Sequence, residues 1–257
     1  MRKEVALITG ASSGLGAELV RQLVGFKTII LVSRNQAKLE AAADQLDKDI
    51  EAVIYPCDLS QKAEIKELAA FVQARYTRVD LLINNAGFGE FKSLGDFELS
   101  EIEQMFKVNV LGLIYLTRLL ATQMIQHQSG HIINIASMAG KIASSKSTIY
   151  SATKYAVLGF SNALRLELQP FGVFVTTVNP GPINTPFFQS TPESKAYLKR
   201  VAAFTLEPEY VASKIIAAIG KNKREINLPH YLESVTRLYT LMPKLGDYLA
   251  LKMFDFK

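Results

Sequence analysis

Short apolar runs alternate with longer amphipathic stretches along most of this chain, and this alternation restricts the fold more than any other feature. Near-continuous apolar runs are typical of parallel strands that are buried on both faces. Strand–helix alternation predicts right-handed βαβ crossovers. We therefore predict an α/β fold with a doubly wound, mostly parallel sheet of about seven strands and helices on both faces. The predicted strands are Val5–Thr9, Thr28–Ser33, Ala52–Tyr55, Leu81–Asn84, His131–Ala136, Phe174–Asn179 and, as the weakest candidate, Glu225–Leu228; helices are predicted near residues 14–25, 36–48, 61–76, 100–126, 151–169 and 208–220.

The domain organisation is predicted to be simple. The 257 residues contain no linker, repeat or low-complexity segment, and they suffice for one α/β domain, 1–257. Two regions depart from the alternation. Residues 183–207 form a long connection with several aromatic side chains, which we predict to be a substrate lid. Residues 229–257 form an apolar, basic extension that Pro243 splits into two helices. This extension packs over the substrate cleft, contacts another subunit or lies on a membrane surface, and we favour packing on the protein itself.

Composition excludes several classes of protein. The net charge of +5 is spread along the chain, which argues against nucleic-acid binding. The single cysteine, Cys57, rules out an internal disulfide and fits a cytoplasmic location. With His127, His131 and His230 scattered, we expect no metal site, and we expect these histidines to be surface or loop residues. The first residues lack the long apolar region of a signal peptide, and no run of 18 apolar residues occurs, so we expect neither a signal peptide nor a transmembrane helix.

A glycine-rich turn, Thr9–Gly16, follows the first predicted strand. Gly10, Gly14 and Gly16 are spaced G-x-x-x-G-x-G. Missing side chains let a backbone approach a pyrophosphate, and the following helix presents free N–H groups and the positive end of its dipole. In the first βα unit of a Rossmann-type sheet, this turn predicts a dinucleotide site.

The end of the second strand indicates which dinucleotide binds. An NAD site usually has a carboxylate there, whereas this chain has Ser33, Arg34 and Asn35. Arginine offers fixed, charged donors to a 2′-phosphate. The sequence therefore favours NADP(H), with NAD less favoured. The alternative is that Arg34 merely starts a solvated helix.

Together with motifs further along the chain, these features resemble the short-chain dehydrogenase/reductase family, in its compact branch of about 250 residues. The matching motifs occur in the family's order, each at the expected strand end or helix. They are Thr9-Gly10-x-x-x-Gly14-x-Gly16, Asp58, Asn84-Asn85-Ala86-Gly87, Asn109, Ser137, Tyr150-x-x-x-Lys154, and Pro180-Gly181 with Thr185.

The resemblance implies a cofactor site along the whole motif set. Asp58 would accept from the adenine amino group or close a turn, and Asn84 would tie the sheet together. The Ile183 backbone would bond the nicotinamide carboxamide. The implied cofactor-binding residues are Gly10, Ser12, Ser13, Gly14, Leu15, Gly16, Ser33, Arg34, Asn35, Asp58, Leu59, Asn85, Ala86, Gly87, Tyr150, Lys154, Pro180, Gly181, Ile183 and Thr185.

Tyr150 and Lys154 are four positions apart on a predicted helix and therefore share one face. A phenol has a pKa of about 10, and a neighbouring ammonium favours the phenolate. The resemblance implies that Tyr150 is the general acid of carbonyl reduction and Lys154 its partner. It implies that Ser137 bonds the substrate carbonyl and that Asn109 holds a relay water. Asn109 alone also fits an exposed or helix-bonded asparagine.

The substrate is expected to be a small apolar ketone or aldehyde. The substrate-binding residues we predict are Ser137, Tyr150, Phe187 and Phe188. The resemblance also implies a homodimer or homotetramer built on the helices that carry Asn109 and Tyr150. Two alternatives stay open: an NAD-dependent alcohol dehydrogenase and a non-catalytic, dinucleotide-binding regulatory protein.

Overall fold

The computed structural model of the protein describes residues 3–188 and 204–254, and these form a seven-stranded, all-parallel sheet with helices on both faces. The strands are β1 (Lys3–Thr9), β2 (Phe26–Ser33), β3 (Glu51–Pro56), β4 (Leu81–Asn84), β5 (Gly130–Ile135), β6 (Val173–Pro180) and β7 (Glu225–Leu228). The helices are α1 (Gly14–Gln22), α2 (Gln36–Ala43), α3 (Lys62–Arg75), α4 (Leu99–Phe106), α5 (Leu113–Gln126), α6 (Thr148–Leu168), α7 (Pro208–Ile216), α8 (Tyr231–Leu241) and α9 (Pro243–Phe254). The predicted fold class is confirmed, including the weak seventh strand.

The alternation of side chains along β1 explains why helices cover both faces of the sheet. Ala6 and Ile8 point into a core shared with α1 and α7. Val5 and Leu7 point into a second core shared with α3 and α5. Each fully buried aliphatic side chain contributes about 1.5–3 kcal/mol through removal from water. The central strands are therefore mostly apolar on both faces.

The strand order β3-β2-β1-β4-β5-β6-β7 reverses direction between β1 and β4. Consecutive crossovers leave the sheet on opposite faces at this point, which opens a crevice beyond the carboxyl ends of the two strands. Ala6, Leu7 and Ile8 of β1 pair with the first three residues of β4, so the two strands end side by side. The turn after β1 and the Asn-Asn-Ala-Gly segment after β4 therefore face the same crevice.

Two sequence expectations require correction. His131, expected at the surface or in a loop, is buried in β5. Its Nε2 lies 2.8 Å from Thr176 Oγ1, and its Nδ1 accepts from the Gly220 N–H at 3.1 Å. The strand predicted at Ala52–Tyr55 is β3 at the sheet edge, and its side chains are exposed or partly buried. An edge strand has only one neighbour, so less of its apolar surface is covered.

The longest helical region, Leu99–Gln126, is interrupted by a π-helical segment, Lys107–Gly112, between α4 and α5. Its length and mean hydropathy would allow it to span a membrane. Half of its most apolar window is nevertheless buried inside the protein, where Leu116 and Leu120 pack against the sheet. These are the properties of a core helix.

The C-terminal extension forms two helices, α8 and α9, and Pro243 begins the second, as the sequence predicts. Tyr239 of α8 donates its hydroxyl to Asp247 Oδ1 of α9 at 2.7 Å. A Cβ on Gly246 would lie 2.3 Å from the Tyr239 ring, so this glycine allows the close packing. Of the predicted lid, residues 189–203 lie outside the described residues.

Candidate active site

The turn after β1 requires glycine at two positions for different reasons. Gly10 has a φ of +65°, a left-handed conformation that side chains disfavour. A Cβ on Gly16 would lie 1.9 Å from the Gly10 carbonyl oxygen. Asn85 fixes the turn from β4, because its Nδ2 donates to the carbonyl oxygens of Thr9 and Gly10 at 3.0 and 3.2 Å. The result is a tight backbone cradle at the start of α1.

Thr9 joins this cradle to the segment after β4. Its Oγ1 accepts from the Asn85 and Ala86 N–H groups, both at 3.0 Å. The sequence places Thr9 in the glycine motif, but no role was predicted for it. The signal that could have found it is a buried hydroxyl at the carboxyl end of a strand, where free backbone N–H groups need acceptors. Asn84 ties the sheet together as expected, because its Nδ2 donates to Asn134 Oδ1 of β5, and it also donates to Thr117 Oγ1 of α5.

Two cations, Arg34 directly after β2 and Lys38 in the first turn of α2, border the cavity described below. Arg34 is exposed and forms no ion pair with the described part of the chain. Asn35 caps α2 by accepting from the Lys38 N–H at 2.9 Å, and Lys38 borders the same cavity as Arg34. Lys38 was missed by the sequence analysis, although its position four residues after Arg34, in the first turn of α2, was a usable signal.

Asp58 follows β3 at the far side of the cradle. One carboxylate oxygen accepts from the Ser60 N–H at 2.9 Å, and the Asp58 N–H donates to Glu64 at 2.7 Å. The turn role considered for Asp58 is therefore present, and its second carboxylate oxygen is left for other partners.

Burial raises the pKa of the neighbouring Cys57 thiol to about 12, which makes this thiol unreactive at neutral pH.

Tyr150 lies in an aromatic setting on α6, with 8% of its surface exposed. The ring centroids of Phe91 and Phe187 are 5.3 and 5.7 Å from that of Tyr150. Gly89 completes the setting, because a Cβ there would lie 2.7 Å from Tyr150 Cδ2. The position of the ring is thus determined by packing on several sides.

Lys154 is buried beside Tyr150, one helical turn later. Its Nζ lies 5.6 Å from the centroid of the Tyr150 ring and donates to the Ile135 carbonyl oxygen at 2.9 Å. Burial lowers the pKa of this ammonium to about 8. A buried lysine with one carbonyl partner is costly for the fold, and strongly perturbed groups of this kind are concentrated at functional sites.

Asn109 lies in the π-helical segment and is 1% exposed. Its Oδ1 accepts from the Phe88 N–H at 3.0 Å, and its Nδ2 donates to the Phe88 carbonyl oxygen at 2.8 Å and to Thr153 at 3.2 Å. The alternative of an exposed or helix-bonded asparagine is therefore wrong. A Cβ on Gly87 would lie 3.1 Å from Asn109 Oδ1 and 3.7 Å from Lys154 Nζ, so both side chains border this glycine.

Ser137 and the loop after β6 complete the crevice. Ser137 follows β5, where its Oγ accepts from the Ala139 N–H at 3.1 Å and donates to the Pro180 carbonyl oxygen at 3.4 Å. Ile183 forms a bridge with Leu206. Thr185 packs over the glycine turn, since a Cβ on Gly14 would be 3.0 Å from that of Thr185.

One cavity of about 960 Å³ joins these parts. Every residue assigned to the cofactor from the sequence lines it, as do Ser137 and Phe187. Asn109 lies behind Gly87, outside the lining. The side chain of Phe188 lies outside the described residues. Packing over the substrate cleft was one of three possibilities for the C-terminal extension, and its helices α8 and α9 both contribute to the cavity wall.

A family model for short chain dehydrogenases matches residues 4–196. The chain belongs to the short-chain dehydrogenase family. An uncharacterized oxidoreductase from Staphylococcus aureus strain USA300 is 35% identical to this short-chain dehydrogenase over 225 residues, which cover 86% of this chain and 92% of the relative.

Solved structures resemble this short-chain dehydrogenase along most of its length. A metagenomic short-chain oxidoreductase in complex with NADP is 30% identical, with a TM-score of 0.74, and the match covers 88% of this chain and 96% of the other. A short-chain dehydrogenase/reductase from Burkholderia phymatum in complex with NAD is 26% identical, with a TM-score of 0.84, and the match covers 95% of each chain.

Proposed function

We propose that the protein is an NADPH-dependent carbonyl reductase that reduces apolar ketones or aldehydes and oxidises the matching alcohols in reverse. The observation that carries this proposal is the shared cavity. It joins the glycine cradle and Arg34 at one end to Tyr150, Lys154 and Ser137 at the other. A carbonyl oxygen placed near Ser137 and Tyr150 has a hydrogen-bond donor and a proton source on the same side.

The residues present fit a nicotinamide dinucleotide. The cradle at Gly10 and Gly16 has no room for a side chain, which is what close approach of a pyrophosphate requires. When bound, the dinucleotide supplies the hydride. Two of the similar solved structures contain NADP and NAD respectively, so membership of the family does not decide between them. NADP(H) is favoured here because Arg34 is exposed and forms no ion pair within the described residues, and because Lys38 borders the same cavity.

Side chains of the protein then supply the proton that carbonyl reduction requires. Tyr150 gives its hydroxyl proton to the carbonyl oxygen, and the adjacent ammonium of Lys154 stabilises the phenolate that remains. Ser137 donates to the same oxygen as its negative charge develops. Asn109 holds the Phe88 backbone and Thr153, and this fixes the segment after β4 against α6. Asn109 and Lys154 border Gly87 together, which is where a proton relay to Lys154 would run.

The function is tested by mixing the protein with NADPH and a panel of ketones and aldehydes and following NADPH absorbance. Matched alcohols with NADP⁺ test the reverse direction. We expect turnover of apolar carbonyl compounds in both directions. Tight NADPH binding without turnover of any carbonyl or alcohol would instead support the dinucleotide-binding regulatory protein.

The cofactor preference predicts the outcome of one charge reversal. Arg34→Asp removes a charged donor and adds repulsion toward a 2′-phosphate, so NADPH affinity should fall by about 10- to 100-fold. NADH affinity should hold or improve, since a carboxylate accepts from the ribose 2′-OH. Fluorescence titration of both cofactors measures the change. Equal affinity of the parent protein for NADH and NADPH would contradict the proposal and favour the NAD-dependent alternative.

Gly89 offers a test of how closely Tyr150 is positioned. In Gly89→Ala the new methyl group overlaps the Tyr150 ring and displaces it. Since small misplacements of a reacting group are costly, we expect kcat to fall by about tenfold or more with cofactor affinity unchanged. Gly95→Ala is the matched control, because nothing lies within 4 Å of a Cβ there. Equal activity of the two variants in steady-state assays would show that the ring position is not critical.

A further inference from the structure

The substrate half of the cavity has a wall made by the C-terminal helices. Leu232, Val235, Leu238 and Tyr239 of α8 line the cavity, as does Leu245 of α9. The α8 residues recur at helical spacing, so they form one stripe on a single face. Phe91 and Phe88 of the segment after β4 add further apolar side chains to the lining of the same cavity.

This wall is apolar and incompletely covered. Val235, Leu238 and Leu245 are 44%, 45% and 40% exposed although they line a cavity. Among the described lining residues on this side of Tyr150, Glu90 is the charged side chain besides Lys154, and it pairs with Lys92 at 3.4 Å. Among these described residues, a phosphate or carboxylate would find no free cation other than Lys154, whereas a hydrocarbon chain would cover apolar surface.

The two helices hold a fixed shape rather than acting as a loose tail. The Tyr239–Asp247 hydrogen bond and the close packing of Gly246 on the Tyr239 ring join α8 to α9. The wall is therefore preformed, and binding costs little reorganisation.

We propose that α8 and α9 form a binding channel for a long hydrocarbon chain attached to the reacting carbonyl. This inference rests on the proposed carbonyl reduction and specifies its substrate class as long-chain, lipophilic ketones or aldehydes. Each added methylene that reaches the wall raises kcat/KM by about three- to fourfold until the channel is filled.

The test uses methyl ketones from butanone to dodecanone with NADPH, each below its solubility limit. In the parent protein, kcat/KM rises with chain length and then levels off. Leu238→Trp fills the channel, so the ratio of kcat/KM for dodecanone to that for butanone falls by at least about tenfold. Leu241→Trp is the matched control on the same helix, because Leu241 is 80% exposed and does not line the cavity. A flat chain-length profile, or equal ratios in the two tryptophan variants, overturns the proposal.

A binding measurement separates this inference from the function on which it rests. Calorimetric titration of the same ketones into the NADPH complex of Tyr150→Phe reports affinity without turnover. If affinity increases with chain length and is lost in Leu238→Trp, the channel stands even if the parent protein reduces none of the ketones. If the parent protein reduces the ketones but neither affinity nor kcat/KM depends on chain length, the proposed function stands and the channel is wrong.

Discussion

We expect the Tyr150→Phe variant to lose at least about 10²-fold in kcat while it binds NADPH like the parent protein. The substitution removes one hydroxyl and keeps the ring. Packing of that ring against Phe91, Phe187 and Gly89 is therefore retained. Lys154, Ser137 and the glycine cradle are untouched. The loss then reports the proton that Tyr150 supplies, because the ring and its aromatic neighbours stay in place.

The matched control for this substitution is Tyr155→Phe. Tyr155 lies on the same helix, five residues further along, and is 49% exposed. Steady-state turnover of a ketone from the active panel, measured with fluorescence titration of NADPH, compares the two variants. Near-normal kcat in Tyr150→Phe would remove Tyr150 as the general acid. Weakened NADPH binding in that variant would show instead that the hydroxyl acts on the cofactor.

Burial on both faces made most of the sheet predictable from sequence. Leu81–Asn84, a central strand that is buried along its whole length, was assigned with its observed limits. Glu225–Leu228 was also assigned with its observed limits, although it lies at the sheet edge, and three of its four residues are buried. The glycine turn was also predictable. Glycines are common in strand–helix turns, but three of them in the first βα unit of a doubly wound sheet indicate a dinucleotide site. β3 was predicted as a strand, but the exposure of its side chains was not predicted. Its place at the sheet edge depends on the order of the strands, which the local sequence pattern does not show.

Sequence patterns could not predict the contacts that position the buried polar side chains. Asn109 is held by Phe88 and Thr153, which are 21 and 44 residues away in the chain. His131 was expected outside the core because a lone histidine carries no periodic signal. Its partners Thr176 and Gly220 come close only through strand pairing and the following turn. Partners distant in sequence, rather than propensity, decide these positions.

The choice of cofactor and substrate depends on a few side chains that the fold leaves free. Similar structures contain NADP or NAD on the same architecture. Arg34 and Lys38 therefore carry the argument for NADP(H), and α8 carries the argument for a long apolar substrate. Fold similarity cannot replace these residue-level arguments, because function depends on the groups at the site.

We expect Lys154→Met to lower kcat by about 10²-fold or more and, at the same time, to stabilise the protein without cofactor near neutrality. Activity falls because the ammonium beside Tyr150 is lost. Stability rises because methionine fits a buried site without carrying charge there. The substitution also removes the hydrogen bond from Lys154 to the Ile135 carbonyl oxygen, which costs stability. After this cost is subtracted, we expect the free energy of unfolding to increase by about 1–3 kcal/mol. Urea unfolding measures it.

The pH dependence of the stability difference between Lys154→Met and the parent protein shows whether the gain comes from removing a buried charge or from better packing. Burial lowers the Lys154 pKa from 10.5 to about 8 in the folded protein. Below about pH 8 both states hold the proton, and the folded state bears the full cost of the buried charge. Between pH 8 and 10.5 the unfolded chain keeps a proton that the folded protein has released, so the parent protein gains stability as pH rises. The advantage of Lys154→Met should therefore shrink through this window. A constant advantage would point to packing, and a less stable variant near neutrality would contradict the cost assigned to the buried ammonium.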